Sequence, residues 1–222
     1  MKPSILFVGK KGDAFCDKAV DVIKNNFDNY QIVLGDKFDE LPSEIEFWEG
    51  GEYIISYLSP WIIPKNILKK TKLNAINFHP GPPEYPGIGC TNFAIYDEVD
   101  VFGITCHRMD SKVDTGEIIK VIRFPVLTED TVYSLTMRCY EKIFELFSEI
   151  IILIRDELHL SISDESWKRK PYTRKQLNEL CKITVDMSEA EIKKRVKAVT
   201  FPNAPGAYVE LAGLKFKFDS TH

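Results

Sequence analysis

The sequence predicts an α/β protein with a Rossmann-like, mostly parallel sheet that is flanked by helices. Short runs that are wholly or mostly apolar, ILFV at 5–8 and YIISYL at 53–58, are typical of strands buried on both faces. From Asp13 to Phe27 apolar residues recur at helical spacing, so a helix is predicted to follow the first strand. Strands that alternate with helices in this way favour a parallel sheet covered by helices.

The rest of the first half fits the same pattern. Further strands are predicted at 31–34 and at 75–78, where the residues are again mostly apolar. Pro64 is expected to open a short helix that runs to Leu68, because proline suits the first turn of a helix.

The second half differs, because two adjacent strands are predicted without a helix between them. These strands, at 102–109 and 117–126, are joined by the short sequence SKVDTG, which suits an antiparallel pair. A long helix with an apolar stripe is predicted to follow, with Thr128 as its N-cap and Leu158 at its end.

The chain is predicted to divide into a large domain, 1–165, which is expected to be the catalytic one, and a C-terminal part, 166–222. The C-terminal part begins with the basic linker WKRKPYTRKQ, contains a helix from Ser188 to Val199, and ends in the hairpin AYVELAGLKFKF. Two strands are too few to bury both of their faces. We therefore expect the hairpin to pair with the main sheet or with the hairpin of a second copy, and we predict a homodimer.

Composition and charge exclude several classes of protein. A net charge of −4 gives no general attraction to nucleic acid or to anionic membranes. The longest apolar run, 150–154, is far shorter than the roughly 20 residues that span a bilayer. Lys10 and Lys11 interrupt the first apolar run, which is therefore a strand and not a signal sequence. Five cysteines without a CxxC pair indicate free thiols, so we expect a soluble cytoplasmic protein.

The stretch NFHPGPPEYPG, which starts at Asn77, places two polar side chains at the end of a predicted strand. Asn77 and His79 point to the same side of an extended chain, and Pro80 ends the strand. Ligands collect at the carboxyl ends of the strands in such sheets. Asp114 lies 35 residues after His79, in a loop that is expected to fold over both side chains.

An amide, an imidazole and a carboxylate suit acyl transfer to an amine. The histidine would move protons, the carboxylate would orient it, and the amide N–H would stabilise a tetrahedral oxyanion. Each residue also has an ordinary structural interpretation as a capping, packing or turn residue. No metal site is expected, since His79 and His107 have no partner at ligand spacing.

Three motifs, in order, resemble those of the 10-formyltetrahydrofolate-dependent N-formyltransferase family. They are SPWIIPKNIL at 59–68, NFHPGPPEYPG at 77–87 and VDTGEII at 113–119. The family includes phosphoribosylglycinamide formyltransferase, methionyl-tRNA formyltransferase and the sugar N-formyltransferases. The resemblance implies the formyltransferase fold, 10-formyltetrahydrofolate as co-substrate, and no metal.

The resemblance also implies a role for each of the three polar residues. His79 would take the proton from the attacking amine, Asn77 would stabilise the oxyanion on the formyl carbon, and Asp114 would hold His79 and relay a proton towards N10 of the folate. The folate would lie against two segments, whose residues are Leu58, Ser59, Trp61, Ile62, Ile63, Pro64, Val113, Thr115 and Gly116.

Within the family, HPGPPEYPG and FPNAPGAYV are most similar to the sugar N-formyltransferases. Their acceptor is the amine of a nucleotide-linked sugar, here expected to be a dTDP-4-amino-4,6-dideoxyhexose used for surface polysaccharide such as the O-antigen of lipopolysaccharide. Gly9, Lys10 and Lys11 would then approach the pyrophosphate at the first strand–helix turn. Asn92 and Tyr208 would meet the sugar or the base.

Four alternatives remain open. A methionyl-tRNA formyltransferase would continue beyond His222 into a basic barrel, and would not carry Glu84, Tyr85 and Pro86 where that enzyme is basic. A glycinamide ribonucleotide formyltransferase would lack the C-terminal hairpin, and a formyl-folate hydrolase would carry an N-terminal regulatory domain. A non-catalytic binding module would keep the folate edge but would not need the histidine–aspartate pair.

Overall fold

A computed structural model describes residues 3–157, 159–204 and 206–219 of the chain. The strands are β1 (Ile5–Lys10), β2 (Tyr30–Gly35), β3 (Gly51–Tyr57), β4 (Thr71–His79), β5 (Val101–Arg108), β6 (Ile118–Pro125), β7 (Lys182–Ile183), β8 (Tyr208–Leu211) and β9 (Leu214–Lys217). The helices are α1 (Ala14–Asn26), α2 (Ser43–Glu46), α3 (Lys65–Leu68), α4 (Cys90–Asp97), α5 (Val132–Arg155), α6 (Arg174–Leu180) and α7 (Glu189–Val199).

The main sheet has the strand order β2-β1-β3-β4-β5-β6. The strands from β2 to β4 are parallel, whereas β5 is antiparallel to both β4 and β6. The predicted fold class, a mostly parallel sheet flanked by helices with a C-terminal hairpin, is confirmed. The antiparallel pair predicted on either side of SKVDTG is also present.

The centre of the main sheet is buried on both faces, which explains the mostly apolar runs of its central strands. Phe7, Ile55 and Phe78 pack on one face with α1 and α5, and Leu6 and Ile54 pack on the other with α2 and α3. Neighbouring residues of a strand point to opposite faces, so both faces require apolar side chains.

The long helix α5 begins three residues later than predicted, because its N-cap is Thr131 and not Thr128. The Thr131 hydroxyl accepts a hydrogen bond from the backbone N–H of Ser134, and Ser134 in turn caps Thr131. The Asp130 side chain accepts from the N–H of Leu127, which makes 127–130 a turn. The predicted end of the helix, Leu158, lies outside the described residues.

Two helices gave no clear periodic signal in the sequence. Five of the eight residues of α4 are buried, so the helix has no distinct polar face and its sequence shows no amphipathic pattern. The buried residues are Cys90, Thr91, Phe93, Ala94 and Ile95. The helix α6 begins in the last residues of the basic segment that was predicted to be a linker. A capping box between Thr173 and Gln176 starts it, and this T-x-x-Q pattern was the available signal.

The predicted C-terminal hairpin is present as β8 and β9, but its pairing differs from the expectation. It forms a separate sheet with β7, a strand of the same chain that was not predicted, in the order β7-β8-β9. The core on the α5 side of the main sheet continues into this region through Leu180, Ile183 and Ala207. The domain boundary between 165 and 166 stays a prediction. Among the described residues, no helix is both long and apolar enough to cross a membrane.

Candidate active site

The register of the main sheet aligns three polar side chains across neighbouring strands. Asn77 on β4 pairs with Ser56 on β3 and with His107 on β5, so the three lie side by side. The Ser56 hydroxyl donates to Oδ1 of Asn77 over 2.8 Å, and Nδ2 of Asn77 lies 3.1 Å from Nε2 of His107. The Asn77 amide is thereby held at both ends.

His79, the last residue of β4, is held by contacts at both ring nitrogens. Its Nε2 donates to the backbone carbonyl of Tyr85 over 2.8 Å, and its Nδ1 lies 3.2 Å from Oδ2 of Asp114. Gly81 makes room for the first contact, because a Cβ there would lie 2.7 Å from Nε2 of His79. The proline-rich loop after β4 therefore sets the orientation of the imidazole.

Asp114 lies in the loop between β5 and β6 and reaches both histidines. Its Oδ1 lies 3.2 Å from Nε2 of His107, and its Oδ2 also accepts a hydrogen bond of 2.7 Å from the N–H of Gly87. Its φ of 47° is in the left-handed region, where aspartate is among the more tolerant residues. The side chain is only 4% exposed, so these contacts replace water.

The electrostatics of this buried group favour an ionised carboxylate. Burial alone would raise the pKa of Asp114, but His79, His107 and the Gly87 N–H together hold this pKa well below its usual range. Because an ionised carboxylate and a carbonyl both accept hydrogen bonds, each ring nitrogen of His79 faces an acceptor. The arrangement suits the transfer of protons and the stabilisation of negative charge.

The structure thus brings the predicted residues Asn77, His79 and Asp114 together, and we call these three the triad. Asp114 contacts His79 directly, whereas Asn77 is connected to Asp114 through His107. The structure adds Ser56 and His107, which were not predicted. The alternation in ITCHR places His107 on a predicted strand, but only the pairing of β5 with β4 brings it to Asn77. Nothing in the local sequence specifies that pairing.

The triad lies in a cleft of about 670 Å³, which we call the triad cleft. Six of the residues predicted to meet the folate line it: Leu58, Ser59, Trp61, Ile62, Ile63 and Val113. Pro64, Thr115 and Gly116, predicted with them, do not line it. Leu58 has a φ of 52°, which is unusual for a bulky residue and marks a sharp turn at the end of β3.

A second cleft of about 780 Å³ adjoins the first, and we call it the basic cleft. The two share a wall formed by Pro80, Ile88, Tyr140 and Arg174. Among the residues that the structure describes, four cationic side chains and no acidic ones line the basic cleft; the cations are Lys10, Lys37, Arg174 and Lys215.

Three of the five residues predicted to bind the acceptor line the basic cleft, namely Lys10, Asn92 and Tyr208. Asn92 already donates to the carbonyl of Ala198, over 2.8 Å. Lys11 does not line the cleft.

Gly9 does not line the cleft either, and it has a packing role. A Cβ at Gly9 would lie 2.4 Å from Sγ of Cys16, so this glycine lets α1 approach β1 closely. Within 3–157, 159–204 and 206–219, no group of three or more His, Cys, Asp or Glu side chains is arranged to hold a metal ion.

Comparison with known proteins finds relatives of this chain. Residues 50–151, which contain the triad, match the family model described as formyl transferase. The chain is 29% identical over 176 residues to a GDP-perosamine N-formyltransferase from Brucella melitensis. That match covers 76% of this chain and 66% of the relative's length.

Solved structures show the same fold. A 4-N formyltransferase from Francisella tularensis superposes with a TM-score of 0.76 at 18% identity, covering 97% of this chain and 98% of that one. An N-formyltransferase from Helicobacter canadensis, in complex with folinic acid and dTDP-3-aminofucose, gives 0.70 at 20% identity, covering 89% and 80%. Residues 50–151 therefore match a formyl transferase domain, in a chain that has the formyltransferase fold and is similar in sequence to a GDP-perosamine N-formyltransferase.

Proposed function

We propose that this protein transfers the formyl group of 10-formyltetrahydrofolate to the amine of a nucleotide-linked aminosugar. The observation that carries the proposal is the buried contact of Asp114 with His79, 3.2 Å apart, beside Asn77 in a cleft that shares a wall with a basic cleft. The relatives named above add support, since one is named a GDP-perosamine N-formyltransferase and another was solved with folinic acid and dTDP-3-aminofucose.

The folate is proposed to lie in the triad cleft, against the turn after β3 and the loop that carries Asp114. The lining side chains are mostly apolar, and Trp61 offers a flat wall fixed by its Nε1–H, which donates to the carbonyl of Asp39 over 3.0 Å. Pro64, Thr115 and Gly116 would support these two segments from behind. A flat, apolar cleft with exposed backbone groups suits a pterin ring.

In the proposed reaction the acceptor nitrogen bonds to the formyl carbon, and the bond from that carbon to N10 breaks. One N–H of the Asn77 amide stabilises the oxyanion, since Nδ2 carries two hydrogens and His107 occupies only one side of it. The proton that leaves the amine passes through the contact between His79 and Asp114 and ends on N10. The enzyme therefore gains and loses no proton over a complete turnover.

The nucleotide diphosphate of the acceptor is proposed to lie in the basic cleft, with the sugar directed through the shared wall towards His79. Cations contributed by four separate parts of the chain surround this cleft, which suits a diphosphate. Asn92 and Tyr208 would meet the sugar or the base. The specific acceptor we propose is a dTDP-4-amino-4,6-dideoxyhexose, formylated in the cytoplasm for a surface polysaccharide such as the O-antigen of lipopolysaccharide.

Two adjacent lysines test this assignment. We expect Lys10→Ala to raise KM for the nucleotide-linked sugar about tenfold, because it removes one charge-assisted contact worth about 1.5–3 kcal/mol. KM for 10-formyltetrahydrofolate should stay within about twofold, since Lys10 lines the basic cleft and does not line the triad cleft. Lys11→Ala is the matched control and should leave both constants unchanged. Equal effects at the two positions would contradict the placement of the diphosphate.

The reaction itself is tested by mixing the protein with 10-formyltetrahydrofolate and a panel of acceptors, while tetrahydrofolate release is followed by absorbance. The panel contains GDP- and dTDP-linked aminosugars, glycinamide ribonucleotide and methionyl-tRNA, with water alone as the hydrolase control. Release that requires an aminosugar supports the proposal. Tetrahydrofolate release with another acceptor, or with water alone, would contradict the proposal and would indicate the formyltransferase or hydrolase that uses that acceptor.

We further propose that the protein is a homodimer that pairs through β9. This strand is the edge of the small sheet, and it exposes Leu214 by 63% and Phe216 by 54%. Exposed apolar edge strands are templates for pairing with another chain. We expect Phe216→Lys to give a monomer in sedimentation velocity, and Phe38→Lys, at a site 89% exposed, to leave the dimer intact. A Phe216→Lys profile that matches the wild type would contradict the interface.

A further inference from the structure

Residues 164–173, which we call the crossing segment, pass over the loop that follows β4. The N–H of Lys168 donates to the carbonyl of Pro83 over 3.0 Å, and the N–H of Tyr172 donates to the carbonyl of Pro86 over 2.8 Å. The Tyr172 ring stacks on Phe93 with 3.7 Å between centroids. The backbone that carries Trp167 is therefore fixed to the same loop that orients His79.

The Trp167 indole contacts three parts of the catalytic machinery. Its ring packs at 87° against His107 with 5.1 Å between centroids, and at 69° against His79 with 5.9 Å. Its Nε1–H donates over 2.8 Å to the carbonyl of Gly116, two residues beyond Asp114. One side chain thus touches β4, β5 and the loop that carries the carboxylate.

The loop that Trp167 holds needs such support. Asp114 has a φ of 47°, and a Cβ at Gly116 would lie only 2.0 Å from the carbonyl oxygen of Arg108. This tight path brings the carboxylate back over both histidines. A hydrogen bond at Gly116 fixes the end of the loop, so it limits the movement of Asp114 relative to His79.

Trp167 lies behind the histidines and lines neither the triad cleft nor the basic cleft. It is thus placed to act on the imidazoles without meeting a substrate. We propose that Trp167 is a positioning residue, which holds the rings of His79 and His107 at the angle and distance that Asp114 requires. This inference rests on the proposed formyl transfer for its kinetic consequence, but the contact itself is independent of it.

The test uses Trp167→Phe, which keeps a ring beside the histidines but removes the N–H donor, and Trp167→Ala, which removes both. We expect kcat to fall about tenfold in the first variant and about a hundredfold in the second, as for small displacements of catalytic groups. KM for both substrates should stay within about twofold, because Trp167 lines neither cleft. Trp48→Phe, a buried change on the opposite face of the sheet, is the matched control.

A second readout needs no activity. The imidazole ¹⁵N signals of His79 and His107 should shift in both Trp167 variants, whereas those of the exposed His159 should not. If Trp167→Ala does not fold, Trp167→Phe decides, and wild-type kcat together with wild-type imidazole signals in that variant would overturn the inference. If the wild-type protein shows no formyl transfer, only the proposed function is overturned. The ¹⁵N signals of the two histidines would then decide the role of Trp167.

Discussion

We expect His79→Asn to lower kcat for formyl transfer by about a thousandfold, within the range for loss of a group that transfers protons. The asparagine side chain cannot carry the proton between the acceptor and N10, and it cannot span the distance between Tyr85 and Asp114. Asp114 would then remain buried with one of its two histidine partners missing. The measurement is steady-state kinetics with a nucleotide-linked aminosugar, together with calorimetric titration of the folate.

The calorimetric result separates catalysis from binding. We expect the Kd for a formyl-folate analogue to change by less than about threefold, because His79 is one lining residue of a cleft whose wall includes the apolar residues from Leu58 to Ile63. His159→Asn, at an exposed histidine, is the control and should leave kcat unchanged. A folded His79→Asn variant that keeps more than about a tenth of the wild-type kcat would exclude His79 from the proton path.

The parts of this site that the sequence predicts are those fixed by local geometry. Asn77 and His79 are two residues apart on one strand, so alternation alone places them on one side, and Pro80 marks the end of the strand. The position of Asp114 depends on a loop that returns over the sheet edge. That return was expected because the loop joins two later strands of the same sheet, and the resemblance to the formyltransferases then implied a role for Asp114 and indicated the segments that would meet the folate.

The parts that were missed depend on pairing between distant segments. His107 reaches the triad only because β5 is antiparallel to β4 in the register that sets it opposite Asn77. Trp167 reaches it because the crossing segment is hydrogen-bonded to the proline-rich loop. Neither register is encoded in a short stretch of sequence, so neither residue could be assigned a role in advance.

The basic cleft also combines a feature that the local sequence predicts with one that depends on the folded backbone. Lys10 and Lys11 are adjacent and were predicted together, but Lys10 ends β1 and lines the cleft, whereas Lys11 lies in the turn beyond it. Neighbouring residues at the end of a strand point in different directions. The local sequence therefore predicts a cationic site at this turn, but the backbone conformation determines which of the two lysines lines the cleft.

The second large effect is expected for Asp114→Asn, which keeps the shape of the side chain and removes its charge. Asparagine also tolerates the left-handed φ of 47°, so the backbone of the loop need not change. An amide can still accept from the Gly87 N–H, but it no longer places a negative charge 3.2 Å from the ring nitrogens of His79 and His107. We expect kcat to fall by about a hundredfold to a thousandfold with little change in either KM. Glu117→Gln, at an exposed carboxylate in the following strand region, is the control.

The same substitution predicts a pH dependence of stability with a definite sign. The pKa of Asp114 is lower in the folded protein than in the unfolded chain, where it is about 3.9. The ionised carboxylate therefore contributes its full stabilisation above about pH 5, and this contribution is lost as the pH falls through the folded pKa. The test compares the free energy of unfolding of the wild type, measured in urea, with that of Asp114→Asn. The wild type should gain stability relative to the variant as the pH rises from about 2 to 5, and the difference between the two should then stay constant. A difference that grows towards acid pH would mean that burial, and not the two histidines, dominates the titration of Asp114.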